Sequence, residues 1–223
     1  MTPLLLVAHG SRSGDVARPL ARAVAERSGL DVRLAHADVR APTIAAVAAD
    51  LPHAVVVPAF LAAGHHVRRD LPAQLAACGA AHFPVTPAIG PDPLLAAAAL
   101  DRLREAGWRH GDSVVLAAAG SADAVAVGQV RQAARMLQVA TGRRVRVGFA
   151  VSAAPRVDTL VAGLRAAGER RIAVVSWLLA SGVFADRVGA CGADVVAAPL
   201  GTHPGVVDTI LARYSSALAE SAA

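Results

Sequence analysis

The chain has 223 residues and a mass of 22.5 kDa; 55% of its residues are hydrophobic, 54 of all residues are alanine, and only 3% are aromatic, which sets the expectation of an aliphatic, helix-rich core. At 17% charged residues and a mean hydropathy of +0.47 it lies outside the polar, highly charged range of disordered chains. All 22 basic residues are Arg, the net charge is +5, and Cys78 and Cys191 stand far apart with no C-x-x-C spacing, which leaves zinc-site and disulfide-framework readings without support.

Short apolar runs at 4–8, 32–36, 54–58, 113–117, 145–150, 171–176 and 194–197 read as buried strands. After the first, Val16, Leu20, Ala23 and Val24 recur at helical spacing, and further helical patterns start from Pro42, Pro93, Val125, Pro155 and Pro204. Proline near a helix start supplies a preset φ where its missing donor costs nothing. Strand and helix in alternation predict an α/β fold with open parallel sheet and helices on both faces. Residues 1–10 lack the basic segment of a secretory signal, and the uncharged stretches at 71–91 and 172–185 are broken by Pro or Gly or too short to span a membrane. A cytoplasmic protein without membrane association is expected.

An internal repeat emerges when the halves are laid together. Leu5-Leu6-Val7-Ala8-His9-Gly10-Ser11 matches Val115-Leu116-Ala117-Ala118-Ala119-Gly120-Ser121, and Ala41-Pro42-Thr43 matches Ala154-Pro155-Arg156. The stretch 58–64 matches 176–182, Cys78-Gly79-Ala80 matches Cys191-Gly192-Ala193, and Gly90 through Pro93 matches Gly201 through Pro204. We divide the chain near Gly111 into two similar open parallel-sheet halves produced by internal duplication, residues 1–111 and 112–223.

The repeat exposes what differs between equivalent places. His9 faces Ala119 in the alignment, and His66 faces Phe184. Both histidines follow predicted strands, and loops at the carboxyl ends of parallel strands form the ligand crevice of such sheets, so the two imidazoles should converge there. Imidazole is a favoured ligand of divalent Fe, Co, Ni and Zn, and two of them leave coordination positions open. His65 is the competing ligand, although adjacent residues tend to point apart. His36, His53, His82 and His110 lack this convergence, and His203 at a helix start belongs to capping.

Gly10-Ser11-Arg12-Ser13-Gly14 forms a turn whose backbone N–H groups and Arg12 can meet an anion, without the spacing of a P-loop or a G-x-G-x-x-G motif. The segment 64–72, read as a loop, sets Arg68, Arg69 and Asp70 beside His66. Arg12, Arg40, Arg68 and Arg69 would give the crevice a basic rim suited to a polycarboxylate. Nucleic acid is a poorer fit, since stacking aromatics are almost absent and no basic helix face occurs.

His9-Gly10-Ser11-Arg12, the Pro42 helix start and Pro58-x-Phe60-Leu61-x-x-Gly64-x-His66-x-x-x-Asp70-x-Pro72 together resemble the sirohydrochlorin cobaltochelatase and ferrochelatase family of class II tetrapyrrole chelatases. Residues 113–218 resemble the degenerate second half of its two-domain members. The resemblance implies a bilobal chelatase fold with an acidic tetrapyrrole in the cleft, and insertion of Fe2+ or Co2+ as a substrate metal, with no ATP and no organic cofactor. It implies that His9 and His66 are the metal-binding and catalytic residues, with Ser11, Arg12, Phe60, Leu61, Gly64, Arg68 and Arg69 toward the tetrapyrrole. Many members carry an acidic residue where this chain has Ala41, and Asp38 aligns with another commonly acidic position. Trp177 and Leu178 are assigned to core packing. The expected product serves sirohaem or cobalamin synthesis, and the duplication supplies within a monomer the pairing that a single-copy relative would need a dimer to achieve. The readings that compete are a chelatase for another ion such as Ni2+ and a non-catalytic tetrapyrrole carrier or metal-delivery protein.

Overall fold

Each apolar run expected as a strand is one, with ends within one residue of the expectation. The computed structural model describes residues 1–10, 16–38 and 40–221. Its first sheet holds β1 (Leu4–Ala8), β2 (Val32–His36) and β3 (Val55–Pro58) in the order β2-β1-β3. The second holds β4 (Ser113–Ala118), β5 (Val145–Phe149), β6 (Ile172–Trp177) and β7 (Val195–Val196) in the order β5-β4-β6-β7, and all pairings are parallel. Around them lie α1 (Ala17–Ser28), α2 (Ile44–Ala48), α3 (Leu71–Ala77), α4 (Pro93–Glu105), α5 (Ala124–Thr141), α6 (Val157–Ala166), α7 (Val183–Gly189) and α8 (Pro204–Ser221).

Parallel strands covered on both faces must be apolar on both, which is why these runs do not alternate with polar residues. The period of two still sorts their side chains. Leu4 and Leu6 enter a central core with Val114 and Leu116, whereas Leu5 and Val7 face an outer layer with Ile44, Leu71 and Leu75. On the second sheet Val115 and Ala117 face a separate outer layer with Val157, Val161 and Val188.

The duplication extends to details of backbone pairing. Single parallel bridges join His36 to Thr43 and Phe149 to Arg156, and the peptides Ala41–Pro42 and Ala154–Pro155 are both cis. In the first repeat one bridge, Val56 to Val85, stands where the second has β7.

The final helix of each repeat crosses over. α4 packs on β6, α5 and α8, and α8 packs on β3, α1 and α4. Polar contacts fasten α8 to the first repeat: Tyr214 Oη donates to Thr2 O at 2.5 Å, Arg213 pairs with Asp92 at 3.0 Å and also donates to Ala88 O and Ile89 O, and Arg27 pairs with Asp208 at 3.1 Å. The central apolar core therefore runs through both repeats without a break. Among the described residues no helix is long and apolar enough to cross a membrane.

The segment 64–72 is not a loop. His66–Asp70 forms a wide helical turn, with Leu71 N–H bonded to His66 O five residues back, and this runs directly into α3. Val67, Leu71 and Leu75 are buried at four-residue spacing, a helical signal that the charged residues between them conceal.

Candidate metal centre

β1 and β3 are hydrogen-bonded neighbours, so whatever follows their carboxyl ends is delivered to one place on the sheet edge. His9 follows β1 directly and is exposed. Gly10 then turns away with φ +88°, close over the end of β2: a Cβ there would lie 3.3 Å from the Cβ atoms of both His36 and Arg40. Glycine thus lets the chain leave the strand tightly, keeping His9 at the edge. His66 arrives from β3 through Phe60 and the wide turn, a wide-turn geometry often found at functional sites.

The His9 and His66 ring centres are 4.8 Å apart with planes at 78°. A nitrogen ligand sits about 2.0–2.1 Å from a metal such as zinc, which puts its ring centre roughly 3 Å from the ion. The observed spacing is short enough for two imidazoles to reach one ion between them. Phe60 lies 6.1 Å from His9, ring centre to ring centre, and forms an apolar side of the pair. Asp70, four residues after His66, accepts from His66 Nδ1 at 2.7 Å and lies 3.3 Å from His65 Nε2. His65 and His66 thus lie near the same carboxylate; successive residues on a helix are turned by only about 100° rather than pointing apart. Among the described residues no group of three or more His, Cys, Asp or Glu side chains is arranged to hold an ion.

The other expected site residues divide. Gly64 stands at the junction of the repeats, where a Cβ would lie 3.8 Å from that of Ala126, and Ala63 N–H beside it donates to Gln129 Oε1 at 2.6 Å. Leu61 is half-buried against the central core, and its backbone lies so close to Gly90 that a Cβ there would be 2.5 Å from Leu61 O. Arg68 does not stand free at the rim: it donates to Asp123 of the second repeat. This bond, together with the backbone amide of Val125, holds the Asp123 carboxyl below the ordinary carboxylate range. Arg69 is exposed, and Arg40 lies over Gly10. Ser11 and Arg12 lie outside the described residues. Asp38 is exposed just past β2, and Ala41 precedes the cis proline.

In the second repeat Ala119 follows β4, and Phe184 is 45% exposed at the start of α7 beside the exposed Val183. Trp177 and Leu178 are buried, in keeping with core packing. His203 Nδ1 accepts from Gly205 N–H at 3.1 Å at the start of α8, which is the expected capping role.

The sequence reading places Asp70 beside His66 and in the motif without a role of its own, and sets His36 aside. His36 is 2% exposed and pairs in register with Ala8, immediately before His9, which places it under the same turn. Strand register alone carried that signal.

The family model CbiX matches this sequence twice, at residues 3–106 and again at 113–217. The chain belongs to the CbiX family. Solved structures with this fold include SirB from Bacillus subtilis with Fe3+, at 22% identity and a TM-score of 0.84, covering 100% of this chain and 98% of that one. The sirohydrochlorin chelatase SirB from Bacillus subtilis subspecies spizizenii, in complex with cobalt, has 23% identity and a TM-score of 0.75, covering 97% and 95%. CbiX, described as the terminal enzyme for biosynthesis of siroheme in denitrifying bacteria, has 22% identity and a TM-score of 0.69, covering 96% and 98%. No curated protein sequence matches the chain significantly. The two CbiX matches fall on the two repeats that the internal alignment separates.

Proposed function

We propose that this CbiX-family protein is a sirohydrochlorin chelatase that inserts Fe2+ or Co2+ into the acidic tetrapyrrole, for sirohaem or cobalamin synthesis, without ATP or an organic cofactor. The observation that carries this reading is the His9–His66 pair, two imidazoles with ring centres 4.8 Å apart at an open strand edge, whose equivalents in the other repeat are Ala119 and Phe184. Support comes from the names of proteins with the same fold, a SirB with Fe3+ and a sirohydrochlorin chelatase SirB with cobalt. We read it as a monomer acting in the cytoplasm.

Insertion requires that a hydrated ion be held, partly stripped of water, and released to four in-plane nitrogens while two pyrrole N–H protons leave. Two imidazoles suit this because they hold the ion and leave most of its coordination positions for water and then for the macrocycle. A fuller protein ligand set would compete with the product. Imidazole also accepts protons, so His9 or His66 can take one as the ion moves onto the ring. Phe60 supplies apolar contact beside the ion, and Arg40 and Arg69 supply positive charge for substrate carboxylates.

The test is an anaerobic spectrophotometric assay of sirohydrochlorin with Fe2+, Co2+ and Ni2+ in parallel. Many equivalents of metallated product per protein with Fe2+ or Co2+ are expected. Turnover with Ni2+ alone would reassign the ion. Product limited to one equivalent would turn the reading into a carrier, a rival motivated by Ala41 at a position that is acidic in many relatives.

A further inference from the structure

Asp70 lies between two histidines, one of which the proposed function uses. Its Oδ2 is 2.7 Å from His66 Nδ1 and its Oδ1 is 3.3 Å from His65 Nε2. An ionised carboxylate can only accept, so in its 2.7 Å hydrogen bond His66 Nδ1 must donate, while His65 Nε2 lies 3.3 Å from the other oxygen without a hydrogen bond. His66 is thereby held as the tautomer with hydrogen on Nδ1, leaving Nε2 with the lone pair that a metal needs. The same contact fixes the rotation of the ring beside His9. The four-residue spacing that permits it comes from the wide turn His66–Asp70, which places side chains 66 and 70 over one another.

We infer that Asp70 is a positioning residue that sets the tautomer and ring orientation of His66, and that His65 is the outer stay of its carboxylate rather than a metal ligand. The inference rests on the reading of His66 as a metal ligand. Ligating histidines commonly give their second N–H to a carboxylate, and loss of such a partner typically costs 10–100-fold in metal affinity or activity. The geometry gives His65 an order of importance as well. It touches the carboxylate oxygen that His66 does not use, at the longer distance and with 66% of its side chain exposed, so removing it should loosen the arrangement without dismantling it.

Two variants separate orientation from folding. Asp70→Ala deletes the acceptor. Asp70→Asn keeps an oxygen for His66 Nδ1–H. The first measurement uses metal-free protein with 15N-labelled imidazoles, in which long-range 1H–15N spectra report the tautomer of each ring. His66 should carry hydrogen on Nδ1 in wild type and Asp70→Asn, and shift to the Nε2–H form in Asp70→Ala. The second is titration with Co2+ alone, followed by its visible absorption. Affinity should fall about 10–100-fold in Asp70→Ala, recover most of the way in Asp70→Asn, and fall only severalfold in His65→Ala. An unchanged His66 tautomer in a folded Asp70→Ala protein overturns the inference, as does His65→Ala losing as much Co2+ affinity as His66→Ala. Because the tautomer is read without metal or turnover, failure of the chelatase reading would leave this outcome intact and distinguishable.

Discussion

Arg68, two residues beyond His66, donates to the carboxylate of Asp123, the residue that caps α5 in the other repeat. One side chain thus joins the helical turn bearing His66 to the second half of the molecule. Asp123 also accepts from Val125 N–H at 2.8 Å, so it serves the cap and the ion pair together.

The pair makes a prediction about acid stability. Because the Asp123 carboxyl titrates below its ordinary value in the folded protein, its stabilisation is complete above the unfolded value, about 3.9, and disappears as pH falls through the lower folded value. Arg68→Ala should therefore be less stable than wild type at neutral pH, with a gap that persists to about pH 4 and closes below it. Asp123→Asn, which keeps a capping oxygen, should behave like Arg68→Ala, while Asp123→Ala should be worse than both. Urea melts across that pH range check it; a gap independent of pH would dissociate the pair from stability.

Equivalent glycines should respond differently to the same substitution. Gly120 and Gly10 both have positive φ, +104° and +88°, so alanine at either pays about 1–2 kcal/mol for the left-handed backbone. At Gly120, however, a Cβ would lie 1.9 Å from Val151 O, a backbone atom that cannot swing away, whereas at Gly10 it meets side-chain carbons at 3.3 Å. Gly120→Ala should lose several kcal/mol or fail to fold, consistent with overpacking costs of about 1–3 kcal/mol added to the φ cost. Gly10→Ala should fold and instead lose metal affinity, because displacing His36 and Arg40 disturbs the turn that holds His9. Chemical denaturation paired with Co2+ titration separates the two outcomes.

What the sequence made legible follows from which interactions are local. Seven strands were readable because burial on both faces leaves an unbroken apolar run, and α1 was readable because Leu20 and Val24 mark its buried stripe. The turn at His66 was not, because His65, His66, Arg68, Arg69 and Asp70 crowd around a single buried Val67. The crossing of α4 and α8 was equally hidden. Periodicity marks the apolar face of α8, but only tertiary contacts, such as Tyr214 to Thr2, select the sheet it covers. The His9–His66 meeting was legible because strand order in the α/β unit and the asymmetry of the repeats point to the same edge; the carboxylate joining His65 to His66 depended on a helix that the charge pattern concealed.

The two neighbouring arginines should separate in their effects on substrate binding. Among the described residues Arg69 forms no ion pair, whereas Arg68 is committed to Asp123. Arg69→Ala should raise KM for the tetrapyrrole by the modest amount expected of a screened surface charge, about 1 kcal/mol or less, with an effect that fades as salt rises. Arg68→Ala should act mainly through stability and the position of the turn, with a KM change that salt does not abolish. KM against ionic strength for both variants is the measurement, and identical salt responses would remove the distinction.

The last expectation is that metal chemistry belongs to the first repeat alone. Duplication leaves two strand edges of the same design in one molecule, yet only one carries imidazoles: His9 and His66 stand 4.8 Å apart, while the equivalent positions are Ala119, which offers no ligand atom, and Phe184, a half-exposed aromatic. A planar macrocycle needs its ion delivered from one face, so a second ligand set would add nothing to insertion and would hold metal away from the product. On the proposed reading, in which each histidine is both a ligand and a proton acceptor, His9→Ala and His66→Ala should each reduce kcat by orders of magnitude. Phe184→His and Ala119→Ser should leave kcat within a fewfold, because a lone imidazole at that edge lacks both a second ligand and a carboxylate partner: the residue four beyond Phe184 is Val188, buried, where the first repeat has Asp70. Kinetics on variants that retain the wild-type melting temperature decide the matter. Comparable collapse in both repeats would mean that the two edges act on the substrate together, and survival of kcat in both histidine variants would remove the imidazole pair from the chemistry.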